Sequence, residues 1–238
     1  MQGTTRRNLL IAGGVAVLGV GGLFGKDAYT AVRCGTMPSL PDVTPGLVRQ
    51  SRLGTRRVLV GYPTAEARRL PVTVLLHGAA GNARTPFEVY GIAAYLAGMG
   101  FAVASVDDWP GADLAGDLIP HLATLGLNTA RVGLMGWSMG GGGALRLAAA
   151  LGPDRVSAVS ATSPAISAAE APMGGLARLP VWLSCGESDP LAPETIAMLA
   201  NLRRRGATVE GGISPGCHDA AFRRRMLASQ LSFMNRYK

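Results

Sequence analysis

Residues Arg131–Gly152 read RVGLMGWSMGGGGALRLAAALG, and the reading of this stretch decides the fold. The apolar run from 131 to 136 has the composition of a buried strand, and residues 141 to 151 have that of a helix. Between them lies Gly-Trp-Ser-Met-Gly, a G-x-S-x-G sequence at a strand-to-helix turn. Small residues on both sides of Ser138 let the backbone turn tightly and lift the hydroxyl above the end of the sheet. Gly136 and Gly140 are then steric necessities.

The rest of the chain continues the same alternation. Upstream, RRVLVGYP and VTVLL (72–76) read as strands, TPFEVYGIAAYLAGMG as one helix ending on Gly100, FAVASV (101–106) as a strand, and DLAGDLIPHLATLG as a helix bent near Pro120. Downstream come VSAVSA as a strand, PVWLSC (180–185) as a strand, PETIAMLANLRRRG as a helix, ATVEGGI as a strand, and DAAFRRRMLASQLSFMNRY as the last helix. Continuous apolar strands separated by helices predict a mostly parallel sheet covered on both faces, an α/β protein whose ligands bind outside the carboxyl ends of the strands.

A serine hydroxyl is a weak nucleophile until a base accepts its proton and an acid orients that base. Of three histidines, His77, His121 and His218, only His218 follows Ser138, in the SPGCHDAAF loop before the final helix. Six carboxylates lie between serine and histidine: Asp154, Glu170, Glu187, Asp189, Glu194 and Glu210. Asp189, in CGESDPL just past the strand at 180–185, is placed best for the acid, with Glu187 its rival on the same loop. The oxyanion of the transition state also needs donors. The Met139 N–H, directly after the serine, is one. The loop LLHGAAGN (75–82) offers the other at Ala79, with Ala80 as a fallback, and His77 holds that loop in shape.

With 238 residues, 48% hydrophobic and 16% charged, the chain has room for one domain with a substantial core. The excess of 23 basic over 15 acidic residues gives a net charge of +8. Its arginine runs, 203–205 and 223–225, lack the aromatic interleaving of a nucleic-acid surface and read as solvated helix faces. Such a surface favours anionic envelope material or lipid headgroups.

The amino terminus stands apart. Arg6 and Arg7 precede an apolar, glycine-rich run from Leu9 to Phe24, an export layout whose T-R-R-x-L-L order resembles the twin-arginine type of signal. Residues 1–33 are therefore expected to be a signal or a membrane anchor through 9–24. Residues 34–56 are then a Pro-rich linker and first strand region, and 57–238 the catalytic domain. No A-x-A cleavage site is evident, and sixteen apolar residues are short for a full span of about twenty.

Four motifs in order, HGAAGN, GWSMGGGGALRLA, CGESDP and GCHDAAF, resemble the α/β-hydrolase superfamily over residues 57 to 238. The LGPDRVSAVSATSPA run resembles its putative-esterase branch, which includes esterase D and the mycobacterial mycolyltransferases. That resemblance implies ester hydrolysis or acyl transfer through an acyl-serine, with neither metal nor organic cofactor. The ester or acyl-lipid would be the partner, and nucleic acid would not. Two departures from the family point to an open, shallow site: the short DDWPGADL connection, and SPAISAAEAPMGGLARLP, too short for a full lid. The aromatic expected just beyond the histidine has only Phe222 as a counterpart.

Three cysteines, Cys34, Cys185 and Cys217, allow at most one bridge. Cys185 and Cys217 lie on the two loops that must meet if Asp189 touches His218, whereas Cys34 with Cys217 would tie the linker to the domain. Three functions fit the motifs: a secreted or envelope-anchored serine esterase; a mycolyl-type acyltransferase with a sugar or glycolipid acceptor; and a non-catalytic binding protein on the same fold.

Overall fold

The computed structural model describes residues 33–64 and 69–238. The expected signal run, Leu9 to Phe24, lies outside them. Eight strands form one sheet: β1 (Leu47–Leu53), β2 (Arg56–Tyr62), β3 (Pro71–Leu76), β4 (Ala102–Val106), β5 (Asn128–Trp137), β6 (Val156–Thr162), β7 (Val181–Gly186) and β8 (Val209–Ser214). Their spatial order is β1-β2-β4-β3-β5-β6-β7-β8. The pairings β1·β2 and β2·β4 are antiparallel, and every pairing from β4 through β3 to β8 is parallel.

Six α-helices accompany the sheet among the described residues: α1 (Thr85–Glu88), α2 (Ile119–Thr124), α3 (Met139–Leu151), α4 (Met173–Leu176), α5 (Ala192–Arg204) and α6 (Ala220–Arg236). Alternate residues of the central strands feed two separate cores, which is why those strands read as unbroken apolar runs. Val72, Val74, Leu76, Val132 and Leu134 pack with residues of α2, α3 and α5 on one face. Leu75, Val103, Met135 and Trp137 pack with Ile92, Leu96 and the α6 residues Leu227, Leu231 and Phe233 on the other.

Two elements depart from expectation. The helix predicted from Thr85 to Gly100 breaks into the single turn of α1 and a 3₁₀ turn at Ile92–Tyr95. Between them Gly91 takes a left-handed φ of 66°, and a Cβ there would strike the Leu40 side chain. Leu40 belongs to the Pro-rich stretch, so a contact distant in sequence replaces the helix. The helix predicted to bend near Pro120 begins as a π-helical turn, Leu114–Leu118, and continues as α2. Proline, which lacks an N–H, sits where a change of helical register is tolerated.

The Arg223–Arg225 run is not a solvated face. Arg223 donates to the Tyr90 hydroxyl, Arg224 to the carbonyls of Pro38 and Val89, and Arg225 to those of Thr36, Cys34 and Pro215. An irregular strand has no ladder to satisfy its carbonyls, and the Arg224 and Arg225 guanidinium groups supply the donors. Residues 34–46 thus form a strap, held by α6 at Cys34, Thr36 and Pro38 and by the 91–93 turn at Leu40 and Gly46, and bonded covalently at Cys34–Cys217, while Cys185 is buried and unpaired. Among the described residues no helix is long and apolar enough to cross a membrane.

Candidate active site

The strand-to-helix turn after β5 has the strain its sequence implies. Ser138 sits at φ 55° and ψ −122°, a region costing on the order of 1–3 kcal/mol and kept only where the surroundings enforce it. The enforcement is visible. The Ser138 N–H donates to the Thr162 carbonyl at 3.0 Å, and the Ser138 carbonyl accepts from Gly142 and Ala165 at 3.1 and 2.9 Å. A Cβ at Gly136 would lie 2.1 Å from the Gly140 carbonyl oxygen, and one at Gly140 would lie 2.0 Å from that of Leu76. The first turn of α3 can therefore pack onto β3 and β5 only with glycine at both places.

β7 ends at Gly186, and Asp189 follows in a tight loop whose N–H groups bond back to Ser214, Gly216 and Gly186. The loop after β8 carries His218, directly before the Asp219 cap of α6. These two loops and the β5 turn meet at the carboxyl edge of the sheet. His218 Nδ1 donates to Asp189 Oδ2 at 2.8 Å, and the Ser138 hydroxyl reaches His218 Nε2 at 3.0 Å. The Asp189 side chain is fully enclosed, and that of His218 is 30% exposed, so the relay runs from the interior to the surface. Burial by itself would raise the Asp189 carboxyl. Hydrogen bonds from the Ser163 hydroxyl, the Leu191 N–H and His218 outweigh it and hold the carboxyl below the usual carboxylate range. The acid thus stays anionic beside the imidazole.

Of the other carboxylates, Glu194 accepts from the Ala168 N–H and Glu210 pairs with Arg236 across the surface. Glu187 shares the Asp189 loop but makes no hydrogen bond or ion pair with His218 among the described residues. Met139 opens α3, where the first N–H groups of a helix lack intrahelical partners. Ala79 lies in an exposed turn after β3, and neither its N–H nor that of Met139 finds an acceptor among the described residues. His77 is buried in that loop, its Nδ1 on the Gly78 carbonyl at 2.9 Å, and the Trp109 indole N–H donates to the His77 carbonyl. Asp107 accepts from the Ala83 N–H, so the short connection after β4 props the Ala79 loop from two sides.

These contacts specify a buried acid, a histidine, a serine on a strained turn and two backbone donors at one sheet edge. Solved structures share the architecture. A ferulic acid esterase superimposes with a TM-score of 0.70 at 17% identity, over 82% of this chain and 100% of its own. An S-formylglutathione hydrolase from Staphylococcus aureus does so with 0.69 at 16%, over 83% and 99%. The chain has the α/β-hydrolase fold. A further S-formylglutathione hydrolase, from Agrobacterium tumefaciens, superimposes on the chain with a TM-score of 0.65 at 15% identity, over 85% and 99%. The family model described as Putative esterase matches residues 106–210 of the chain, a span that holds Ser138, Met139 and Asp189. No curated protein matches it in sequence.

Two buried polar residues around the candidate site carry no motif in the sequence. Ser163 is buried just past the end of β6 with φ 47°, accepts from the Cys185 thiol, and helps hold the Asp189 carboxyl low. Its signal was its place, a polar residue at a strand's carboxyl end facing the acid loop. Gln230 is fully buried in α6, donating to Ser160 and Thr162 and accepting from the Trp137 indole. It stands in an apolar stripe with Leu227, Leu231 and Met234, where a polar residue is itself a signal. Phe222 lines no acyl pocket: it is buried against Gly216, with the Arg225 guanidinium over its ring.

A groove of about 470 Å³ opens beside Met139 and runs along α3 past Gly143 and Leu147 to Ala150, roofed by Trp109 and Leu114. It is mainly apolar and open to solvent. A Cβ at Gly143 would touch the Trp109 ring at 2.4 Å, so glycine there lets the indole lie on the helix. For a metal, Cys34, Cys217 and Asp219 are the one cluster of suitable side chains close enough among the described residues, and both of its sulfurs belong to the disulfide.

Proposed function

We propose that this α/β-hydrolase is an exported serine esterase that cleaves carboxylic esters through an acyl-serine intermediate. The observation that carries the reading is the unbroken contact from Asp189 through His218 to Ser138 at the strained turn. Ser138 attacks the ester carbonyl while His218 takes its proton, and the Met139 and Ala79 N–H groups receive the oxyanion. His218 returns the proton to the leaving alcohol. It then activates a water that releases the acid and restores the serine. Asp189 stays ionised throughout, fixing the imidazole tautomer and stabilising the imidazolium.

The acyl chain is assigned to the groove beside Met139. From Met139 to Ala150 a helix rises about 16 Å, the length of a chain of about a dozen carbons. Export is supported by the Arg6-Arg7 apolar layout and by the Cys34–Cys217 bridge, which persists in an oxidising compartment. Retention of the Leu9–Phe24 run would anchor the enzyme at the membrane and present acyl lipids to it.

The full chain treated with a fluorophosphonate is expected to be labelled at Ser138 and to turn over p-nitrophenyl esters, both activities vanishing in Ser138→Ala and His218→Ala. A folded wild type that takes no label would overturn the reading in favour of a binding protein. Because the site is open, a sugar or glycolipid acceptor can compete with water. Ester product on an added sugar, in place of free acid, would establish acyl transfer by the same residues.

A further inference from the structure

Arg33 and the first residue of the strap, Cys34, touch the residues immediately before the acid and before the base. Arg33 Nε donates to the Ser188 hydroxyl at 2.9 Å, one residue ahead of Asp189. Cys34 is bonded to Cys217, one residue ahead of His218. The Arg225 guanidinium then gathers the Cys34, Thr36 and Pro215 carbonyls at 2.7, 3.1 and 3.3 Å, joining the strap to the loop that carries the histidine. That loop has no regular structure between Ser214 and Ala220, and Gly216 within it takes a φ of 153°. Its backbone contacts to the acid loop run from the Glu187 N–H to Ser214 and from the Ser188 N–H to Gly216. A half-exposed irregular loop bearing a base needs outside constraint to hold a 3.0 Å contact, since small misplacements of a catalytic group cost large factors in rate.

We propose that Arg33, Cys34 and Arg225 are positioning residues for the serine, histidine and aspartate, and that full activity depends on the Cys34–Cys217 disulfide. The inference rests on the serine-esterase reading of the same site. The Pro-rich stretch that follows the export segment is then a working part of the active site. Maturation would proceed in order: oxidation of Cys34 and Cys217 to the disulfide completes the strap, and the base loop is held only from that point. In the reverse direction a dithiol reductant transfers two electrons and two protons to the bridge. The S–S bond breaks, Cys34 and Cys217 become thiols, and the reductant closes to its own disulfide.

The test uses the full chain and a soluble p-nitrophenyl acetate substrate, with near-ultraviolet circular dichroism to monitor the fold. Reduction is expected to lower kcat by about 10-fold with KM changed less than about 2-fold, and to slow fluorophosphonate labelling in parallel, with the fold signal retained. A Cys34→Ser, Cys217→Ser double variant should match the reduced wild type and ignore the reductant. Arg225→Ala keeps the disulfide and reports independently of any unfolding on reduction; kcat should fall several-fold while KM holds. Folded reduced enzyme, or folded Arg225→Ala, with unchanged kcat and labelling rate would overturn the proposal. An oxidised wild type that takes no label would instead overturn the serine-esterase reading itself.

Discussion

At the scale of single residues, the site is controlled by how burial and hydrogen bonding act on two neighbouring acids. Asp189 and Cys185 share the end of β7 and the Ser163 hydroxyl, yet their environments push them in opposite senses. Asp189 is held ionised, its folded carboxyl lying below the ordinary value of about 3.9. Its stabilising contribution is therefore complete above the unfolded value and is lost as pH falls through the lower folded one. Asp189→Asn should lose less stability than the wild type between pH 6 and pH 3 in urea unfolding, and its turnover should drop on the order of 10³-fold or more. Identical acid sensitivity of the two chains would contradict this account.

Burial, helped by the Asp189 charge, raises the Cys185 thiol to about 11 against the opposing Ser163 and Thr195 hydrogen bonds. The neutral thiol is favoured in the fold, so its contribution is present below the unfolded value and is lost as pH rises toward about 11. The native chain should resist iodoacetamide at Cys185 at pH 8, and Cys185→Ala should show a shallower loss of stability between pH 9 and 11. Rapid native alkylation would show the thiol to be accessible and ionised.

Among the elements, α3 carries the most function, and its composition is poor for a helix. Four consecutive glycines, 140 to 143, each cost about 1 kcal/mol of helix propensity relative to alanine. The close approach they permit outweighs that cost: Gly140 against the end of β3, and Gly143 beneath the Trp109 ring. The far end of the same helix sets where the groove stops. Ala150 lines that end and is exposed, distant from the serine. Ala150→Trp should exclude about three methylenes, at about 0.8 kcal/mol each. The kcat/KM for a dodecanoyl ester should fall on the order of 50-fold while an acetyl ester changes less than about 2-fold. Equal effects on both esters would remove the acyl chain from this groove.

For the whole molecule, the disulfide and the arginines of α6 convert a Pro-rich segment into part of the domain. Cys34 and Cys217 are separated by 183 residues, so the bridge restricts nearly the whole unfolded chain. A loop of that length corresponds to about 5 kcal/mol in the chain-entropy treatment. Reduction should lower the Tm measured by calorimetry by several degrees or more, and the Cys34→Ser, Cys217→Ser chain should melt with the reduced wild type. A Tm unchanged by reduction would mean the strap adds nothing to global stability.

Much of this was legible in the sequence because the physics involved is local or strictly ordered. The period of apolar residues specified a doubly covered sheet, since strands buried on both faces must be apolar throughout. The turn at Ser138 could be read because only glycine fits at 136 and 140, and His218 because no other histidine follows the serine. Position also favoured Asp189, on the loop at the carboxyl end of its strand, with Glu187 its rival on that loop until the contact with His218 separated them. What the sequence could not carry were contacts between segments far apart along the chain. The break at Gly91 depends on Leu40, the pairing of Cys217 on where the strap runs, and the work of Arg224 and Arg225 on carbonyls almost two hundred residues upstream. Local periodicity cannot distinguish an arginine facing water from one facing an irregular strand. Tertiary structure decided that, because an unpaired backbone carbonyl must find a donor and the fold determines which donor is near.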